Sequence, residues 1–406
     1  MEVNLRKYRL LAFLGLIILF LYFPQQTSFA SQRNKSINII NPTVEYTFGE
    51  QFIFKAEIIG NVSINNVELV INPNGINNSI VIPVTVDTFN KLETSYIIKP
   101  QDVILPFSTI KYQYTITLNT GTQVSSDTFS FVYSDNRFDW QHLEEENLFS
   151  VHWYEGDLSF GRAIFDASAN SIDRYKKYLI LPNPQNLDIY VYANPSELQE
   201  ILDISAYPWV AGHAIPENDL VFVSITPGAL QLLDIERQIP HEIAHVRIKQ
   251  YLEDGYENLP VWFNEGLASL AETFPNSDYK LILTKGYEKH IIISFSSLCR
   301  NFPADSSDIN MAYAQSDSFV RYIYQEYGAN GLQNLLDAYK QGHSCEKGPS
   351  EAFGVSLTQL EKQWHIETFG SPPPISMYEI IAWALLVLVI FITPVTSILL
   401  SNRRNS

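Results

Sequence analysis

The constraint that most limits how this chain can fold is a helical signature, His241-Glu242-Ile243-Ala244-His245, followed downstream by Asn264-Glu265-Gly266. Residues four apart lie on one helix face, one turn up. His241 and His245 can therefore aim two imidazoles at one metal ion. Glu242, offset by one residue, stands where a general base would serve water at that ion. Nineteen residues, 246 to 264, separate His245 from Glu265. That is enough chain to end one helix, turn, and return a second helix with Glu265 at the same point. The spacing predicts a helix from about Pro240 to Tyr251, with proline tolerated in its first turn, and another over Val261–Phe274. Two imidazoles and one carboxylate suit a single Zn2+ and leave a fourth position for water, whereas a structural site would be closed by a fourth protein ligand.

Both ends of the chain are apolar. Arg6, Lys7 and Arg9 precede an apolar run from Leu10 to Phe23, and Ser28-Phe29-Ala30 offers small residues where signal peptidase reads. Residues 1–30 read as a secretory signal peptide, with an uncleaved anchor as the alternative. Ile380 to Leu400 is apolar apart from Thr and Ser, and at 1.5 Å per residue it covers roughly 30 Å, one hydrocarbon core. Arg403 and Arg404 follow, which places tail 401–406 in the cytoplasm and everything before the span outside. The segment 371–379, opening Ser371-Pro372-Pro373-Pro374, reads as a Pro-rich linker. The formal net charge is -17, and an acidic surface repels phosphates, so a nucleic-acid partner is disfavoured. The two cysteines, Cys299 and Cys345, lie in the expected extracytoplasmic part, where a bridge between them would persist; two buried thiols are the other reading.

From about 36 to 134 the pattern is β. Val44, Tyr46 and Phe48 alternate, as do Phe52, Phe54 and Ala56, and Val67, Leu69 and Ile71. Further runs cover Ile80–Val86, Ser95–Ile98, Ile110–Leu118 and Thr128–Tyr133. Short alternating strands at this spacing predict a β-sandwich of immunoglobulin-like or fibronectin-like type, serving as a spacer, a binding module or a packing domain. Asp135–Trp153 reads as a polar junction. The pattern then becomes α/β, with a helix at Phe160–Tyr178, strands at Leu187–Tyr192 and Leu220–Ile225, and a short helix at Pro195–Leu202 between them. Helices at Ala312–Tyr327, Gly331–Tyr339 and Leu357–Phe369 complete a mostly helical second half.

Pro240-His241-Glu242-Ile243-Ala244-His245 and Pro260-Val261-Trp262-Phe263-Asn264-Glu265-Gly266-Leu267-Ala268 together resemble the gluzincins, the thermolysin-like zinc metallopeptidases of clan MA. The W-x-N-E-G-x-A form is similar to that of the clan's aminopeptidases, while nineteen intervening residues is the thermolysin-like spacing. Ala312–Tyr322 and Phe353–Trp364 look like the peptidase MA-like domains of bacterial surface proteins. The resemblance covers roughly 150–370 and implies a gluzincin-type α+β domain, zinc on His241, His245 and Glu265, and Glu242 as base. It departs from the pattern in two places. The carboxylate expected four residues after Glu265 to support a histidine is replaced by Ser269; Glu272 takes over that role or is a solvated acid. The aminopeptidase G-A-M-E-N motif is echoed only loosely by Gly212-His213-Ala214-Ile215-Pro216-Glu217-Asn218, leaving His213 and Glu217 as cleft candidates or loop residues. For the oxyanion donor, Tyr313 is the first candidate and His290 the second, with a core aromatic as the other reading of Tyr313.

The whole chain thus reads as a single-pass membrane protein facing outward: a β-sandwich, then a zinc peptidase domain acting on peptides or proteins, then one C-terminal transmembrane helix. The alternative is a surface adhesion or binding protein whose zinc-peptidase-like domain is silent.

Overall fold

Alternation of apolar and polar side chains builds the strands between residues 38 and 133. The computed structural model describes residues 37–370 apart from 61, 74–78, 100–101, 103 and 203–211, together with residue 390. The chain divides into two units, with the boundary after Asn136. In the first lie β1 (Asn38–Thr47), β2 (Gln51–Ile59), β3 (Ile64–Asn72), β4 (Ile80–Pro83), β5 (Thr85–Val86), β6 (Lys91–Ile97), β7 (Ser108–Leu118), β8 (Gln123–Ser125) and β9 (Phe129–Tyr133). One antiparallel sheet runs β1-β2-β6-β5 and a second β4-β3-β7-β8, with β9 also paired to β7. Phe52, Phe54, Ala56 and Ile58 from the first sheet share one core with Val67, Leu69, Ile71, Ile110, Tyr112 and Tyr114 from the second. Phe54 and Tyr112 meet edge to face across the two sheets at 5.0 Å, the geometry aromatic quadrupoles favour. The run Ile80–Val86, expected as one strand, is two: β4 pairs with β3 and β5 with β6. Pro83 has no N–H for a ladder, and the chain passes from one sheet to the other there.

The second unit begins with a hairpin, β10 (Gln141–Glu145) and β11 (Phe149–Trp153), so the stretch expected as a junction is part of a sheet. Then follow α1 (Leu158–Tyr175), β12 (Leu187–Tyr192), α2 (Pro195–Leu202), β13 (Gly212–Ile215), β14 (Leu220–Ser224), α3 (Gln231–Leu252), α4 (Val261–Ala271), α5 (Tyr279–Glu288), α6 (Ser306–Lys340), α7 (Gly348–Phe353) and α8 (Leu357–Phe369). The sheet order is β10-β11-β12-β14-β13, parallel in the middle and antiparallel at both edges. Val151, Ile189, Val221 and Val223 pack under Ile164 of α1 and Ile239, Ile243 and Val246 of α3. The buried Arg247 on α3 donates to the carbonyls of Ile172 and Pro182, so its charge meets the negative end of α1. The helical half has its own core around Trp262, Phe263, Phe295, Phe319 and Trp364.

Three expectations are corrected. The motif helix begins at Gln231, nine residues before Pro240, which lies inside it. The two helices expected over 312–339 form α6, bent at Gly328 with φ 67°. Helices α5 and α7 were not anticipated at all. Among the described residues no helix is long and apolar enough to cross a membrane; the expected signal peptide, Pro-rich linker, span and tail lie outside the described residues.

Cys299 and Cys345 are bridged. The bridge closes around the start of α4, where Val261 and Trp262 donate their backbone N–H groups to the carbonyls of Cys299 and Leu298, and the Trp262 indole N–H points at Cys345 Sγ, 3.4 Å away. Two of the unpaired N–H groups at that helix end are thereby satisfied. Replacing both cysteines by serine is expected to lower stability by about 2–4 kcal/mol, read from urea unfolding; an unchanged midpoint would contradict the clamp.

Candidate metal centre

The site is assembled from two helices, α3 and α4. His241 and His245 sit one turn apart on α3, and Glu265 comes from the first turns of α4. Gly266, next to the ligand, is where α6 passes: a Cβ there would lie 2.3 Å from Val320 Cγ2 and 2.5 Å from the Ser316 carbonyl. Only glycine allows that approach, and the approach brings α6, with Tyr313, to the site.

His241 Nε2 is 3.3 Å and His245 Nε2 3.6 Å from the same oxygen, Glu265 Oε2. One ligand atom from each of the three residues lies within 4.8 Å of the others. In a tetrahedral zinc site with bonds of about 2.0–2.1 Å, neighbouring ligand atoms stand roughly 3.3 Å apart. The donor set and its spacing therefore fit zinc. The other ring nitrogens are already taken. His241 Nδ1 lies 3.0 Å from Glu272 Oε1, and His245 Nδ1 3.1 Å from Asn264 Oδ1. Each Nδ1–H donates to its oxygen, which fixes the tautomer and leaves Nε2 to ligate. Glu272, not a solvated acid, supports His241. Ser269 is buried and its hydroxyl is without a hydrogen-bond partner, so it does not fill the missing carboxylate's role.

Electrostatics point the same way. Burial works against charge on His241, but hydrogen bonds to Glu265 and Glu272 outweigh it and hold its pKa well above the ordinary value. His245 is raised too, burial again being overcome by the Glu265 charge. Burial pushes the Glu265 carboxyl up, yet the paired histidines drive it far below the usual carboxylate range. Such a pocket favours a cation.

The cleft, about 230 Å³, is lined by Gly212, His213, Ala214, Pro216, His241, Glu242, His245, Tyr256, Asn264, Glu265 and Tyr313. Glu242 is buried against edge strand β13. A Cβ on Gly212 would come within 2.5 Å of Glu242 Oε1, so the missing side chain makes the room for this carboxylate. Tyr313 is half-buried beside it, its ring set edge to face on Phe302 at 5.1 Å. Its hydroxyl is held well above the ordinary pKa, first by the negative charge of Glu265, then by burial and Glu242; it stays protonated and can donate. Of the remaining candidates, His213 lines the cleft, Glu217 is exposed on the turn that follows β13, and His290 is exposed and does not line it.

Two cleft residues escaped the reading of the sequence. Asn264 was legible as the neighbour of Glu265, but its partner was not. Tyr256 carried no local signal. Its hydroxyl accepts from Asn264 Nδ2, and burial with nearby Glu265, Glu217 and Glu242 pushes it up to about 12, against the effect of that hydrogen bond.

Residues 168–369 match the family model of the Peptidase MA superfamily. This part of the chain is a peptidase MA superfamily domain. The match opens within α1 and closes at the end of α8, so it spans the whole metal centre. No match is found among the curated proteins. Among solved structures, the chain is similar to wild-type OgpA from Akkermansia muciniphila, at 11% identity over 24% of this chain and 27% of that one, with a TM-score of 0.19. A polysaccharide deacetylase from Bacillus cereus is 12% identical over 53% of this chain and 67% of that one, with a TM-score of 0.20. A purple acid phosphatase from yellow lupin seeds is 9% identical over 51% of this chain and 40% of that one, with a TM-score of 0.21. Likenesses at these TM-scores carry no argument.

Two outcomes follow for the peptidase MA superfamily domain. Glu272→Ala is expected to weaken zinc binding by about 10–100-fold, measured by competition with a chelator; unchanged affinity would show that His241 needs no carboxylate behind it. Gly212→Ala is expected to push the Glu242 carboxylate off β13 with zinc affinity intact. A crystal structure of that variant with Glu242 unmoved would contradict the assignment.

Proposed function

We propose that this chain is a membrane-anchored, extracytoplasmic zinc metallopeptidase. The observation that carries the reading is the meeting of His241 Nε2, His245 Nε2 and Glu265 Oε2 in a cleft that also holds an unligated buried carboxylate, Glu242. His241, His245 and Glu265 would hold one zinc ion. When bound, that ion supplies Lewis acidity, lowering the pKa of water and polarising a carbonyl. Glu242 takes the proton of the attacking water as the C–O bond forms and delivers it to the amide nitrogen as the C–N bond breaks. The Tyr313 hydroxyl donates to the carbonyl oxygen as negative charge gathers there. His241 and His245 keep their orientation through Glu272 and Asn264.

A peptide substrate is supported by the edge strand. β13 is the last strand of its sheet among the described residues, and Gly212, His213 and Ala214 line the cleft. An extended peptide laid along β13 gains main-chain hydrogen bonds and presents its carbonyls to Glu242 and the metal ligands. The two-sheet unit ahead of this domain is assigned to an immunoglobulin-like or fibronectin-like sandwich serving as spacer or binding module. Anchoring rests on the apolar segment 380–400 and the arginines after it, and export on residues 1–30.

The purified protein is expected to contain one zinc per chain and to cleave members of a peptide library, with cleavage abolished by a chelator. Glu242→Gln is expected to retain zinc and lose cleavage by about 10²–10⁴-fold; Tyr313→Phe is expected to lose about 10²–10³-fold. Zinc bound with no cleavage by the wild-type protein would replace this reading by that of a silent binding domain.

A further inference from the structure

The motif helix breaks its own hydrogen-bond ladder one residue before the first ligand. Pro240 has no N–H, so the Glu236 carbonyl, four residues earlier, loses its partner within α3. That carbonyl is not left unpaired. The backbone N–H of Thr273 donates to it at 3.0 Å. The Thr273 hydroxyl donates to Glu236 Oε2 and accepts from Arg174 Nη1, and Arg174 Nη2 lies 3.8 Å from the same Glu236 oxygen. The chain leaving α4 is thus fastened to α3 at the turn that precedes His241.

Thr273 directly follows Glu272, which ends α4 in an extended conformation with φ -57° and ψ 134°. Glu272 Oε1 meets His241, but its other oxygen, Oε2, is buried without a hydrogen-bond partner. Among the described residues His241 is the hydrogen-bond partner of the Glu272 carboxylate, so its aim is set by the backbone that carries it. We infer that Pro240, Glu236 and Thr273 form a latch that positions Glu272 against His241. These are positioning residues: none lines the cleft. A residue with an N–H at 240 would compete with Thr273 for the Glu236 carbonyl and let the chain after α4 drift. The inference rests on the zinc reading of the site.

The test measures zinc affinity of the full chain by chelator competition, the visible spectrum of the Co2+-loaded protein, and the melting temperature of the metal-free protein. The variants are Pro240→Ala and Thr273→Val, each also made with Glu272→Ala. Each single variant is expected to bind zinc about tenfold more weakly and to shift the Co2+ bands, while the metal-free melting temperature stays level or, for Pro240→Ala, rises. With Glu272→Ala already present, neither is expected to weaken zinc further, because both act through that carboxylate. Wild-type affinity in both single variants overturns the latch, as does an equal further loss in the Glu272→Ala background. A wild-type chain that binds no zinc overturns the metal reading itself, and the latch with it.

Discussion

The second unit depends on one carboxylate oxygen placed within reach of two imidazole nitrogens. Glu265 Oε2 stands 3.3 and 3.6 Å from the two Nε2 atoms, and burying such groups is costly unless a cation balances them. Against the effect of burial, Glu265 raises the pKa of both histidines, so the site favours positive charge. A ligating imidazole nitrogen carries no proton. A metal held by His241, His245 and Glu265 would therefore compete with protons for the two imidazoles.

What surrounds that oxygen is arranged to keep two helices in one relation. Gly266 lets α6 press against α4, the disulfide segment satisfies the N–H groups at the start of α4, and Thr273 fastens its end to α3. A helix held at both ends and along one face has little freedom to rotate Glu265 out of line. The same helix carries Asn264 and is followed at once by Glu272, so both histidine partners move with the ligand. Helix α4 and the residue that follows it thus supply Glu265 and both groups that orient the histidines.

The parts legible in the sequence are those in which a short-range pattern carries the physics. The alternation in β2, β3 and β7 appears as written, because one face of each strand is buried. The four-residue spacing of His241 and His245 put both rings on one face, and the return of Glu265 needed only helical geometry. The illegible parts depend on partners far along the chain. Pro240 reads as a helix start by its usual preference, yet lies mid-helix because Thr273 takes the carbonyl it frees. Hairpin β10–β11 begins with a polar strand, Gln141–Glu145, in which only Leu143 is even partly buried, so no periodicity marked it. Gly212 has meaning only against Glu242, thirty residues on. Glu272 is thirty-one residues from His241 in the chain, and only their 3.0 Å contact pairs them.

X-ray absorption at the zinc edge of the loaded protein reads the coordination shell itself. A four-coordinate shell of nitrogen and oxygen at about 2.0–2.1 Å is expected, with outer-shell scattering from two imidazoles. A shell containing sulfur, or one with an imidazole count other than two, would contradict it.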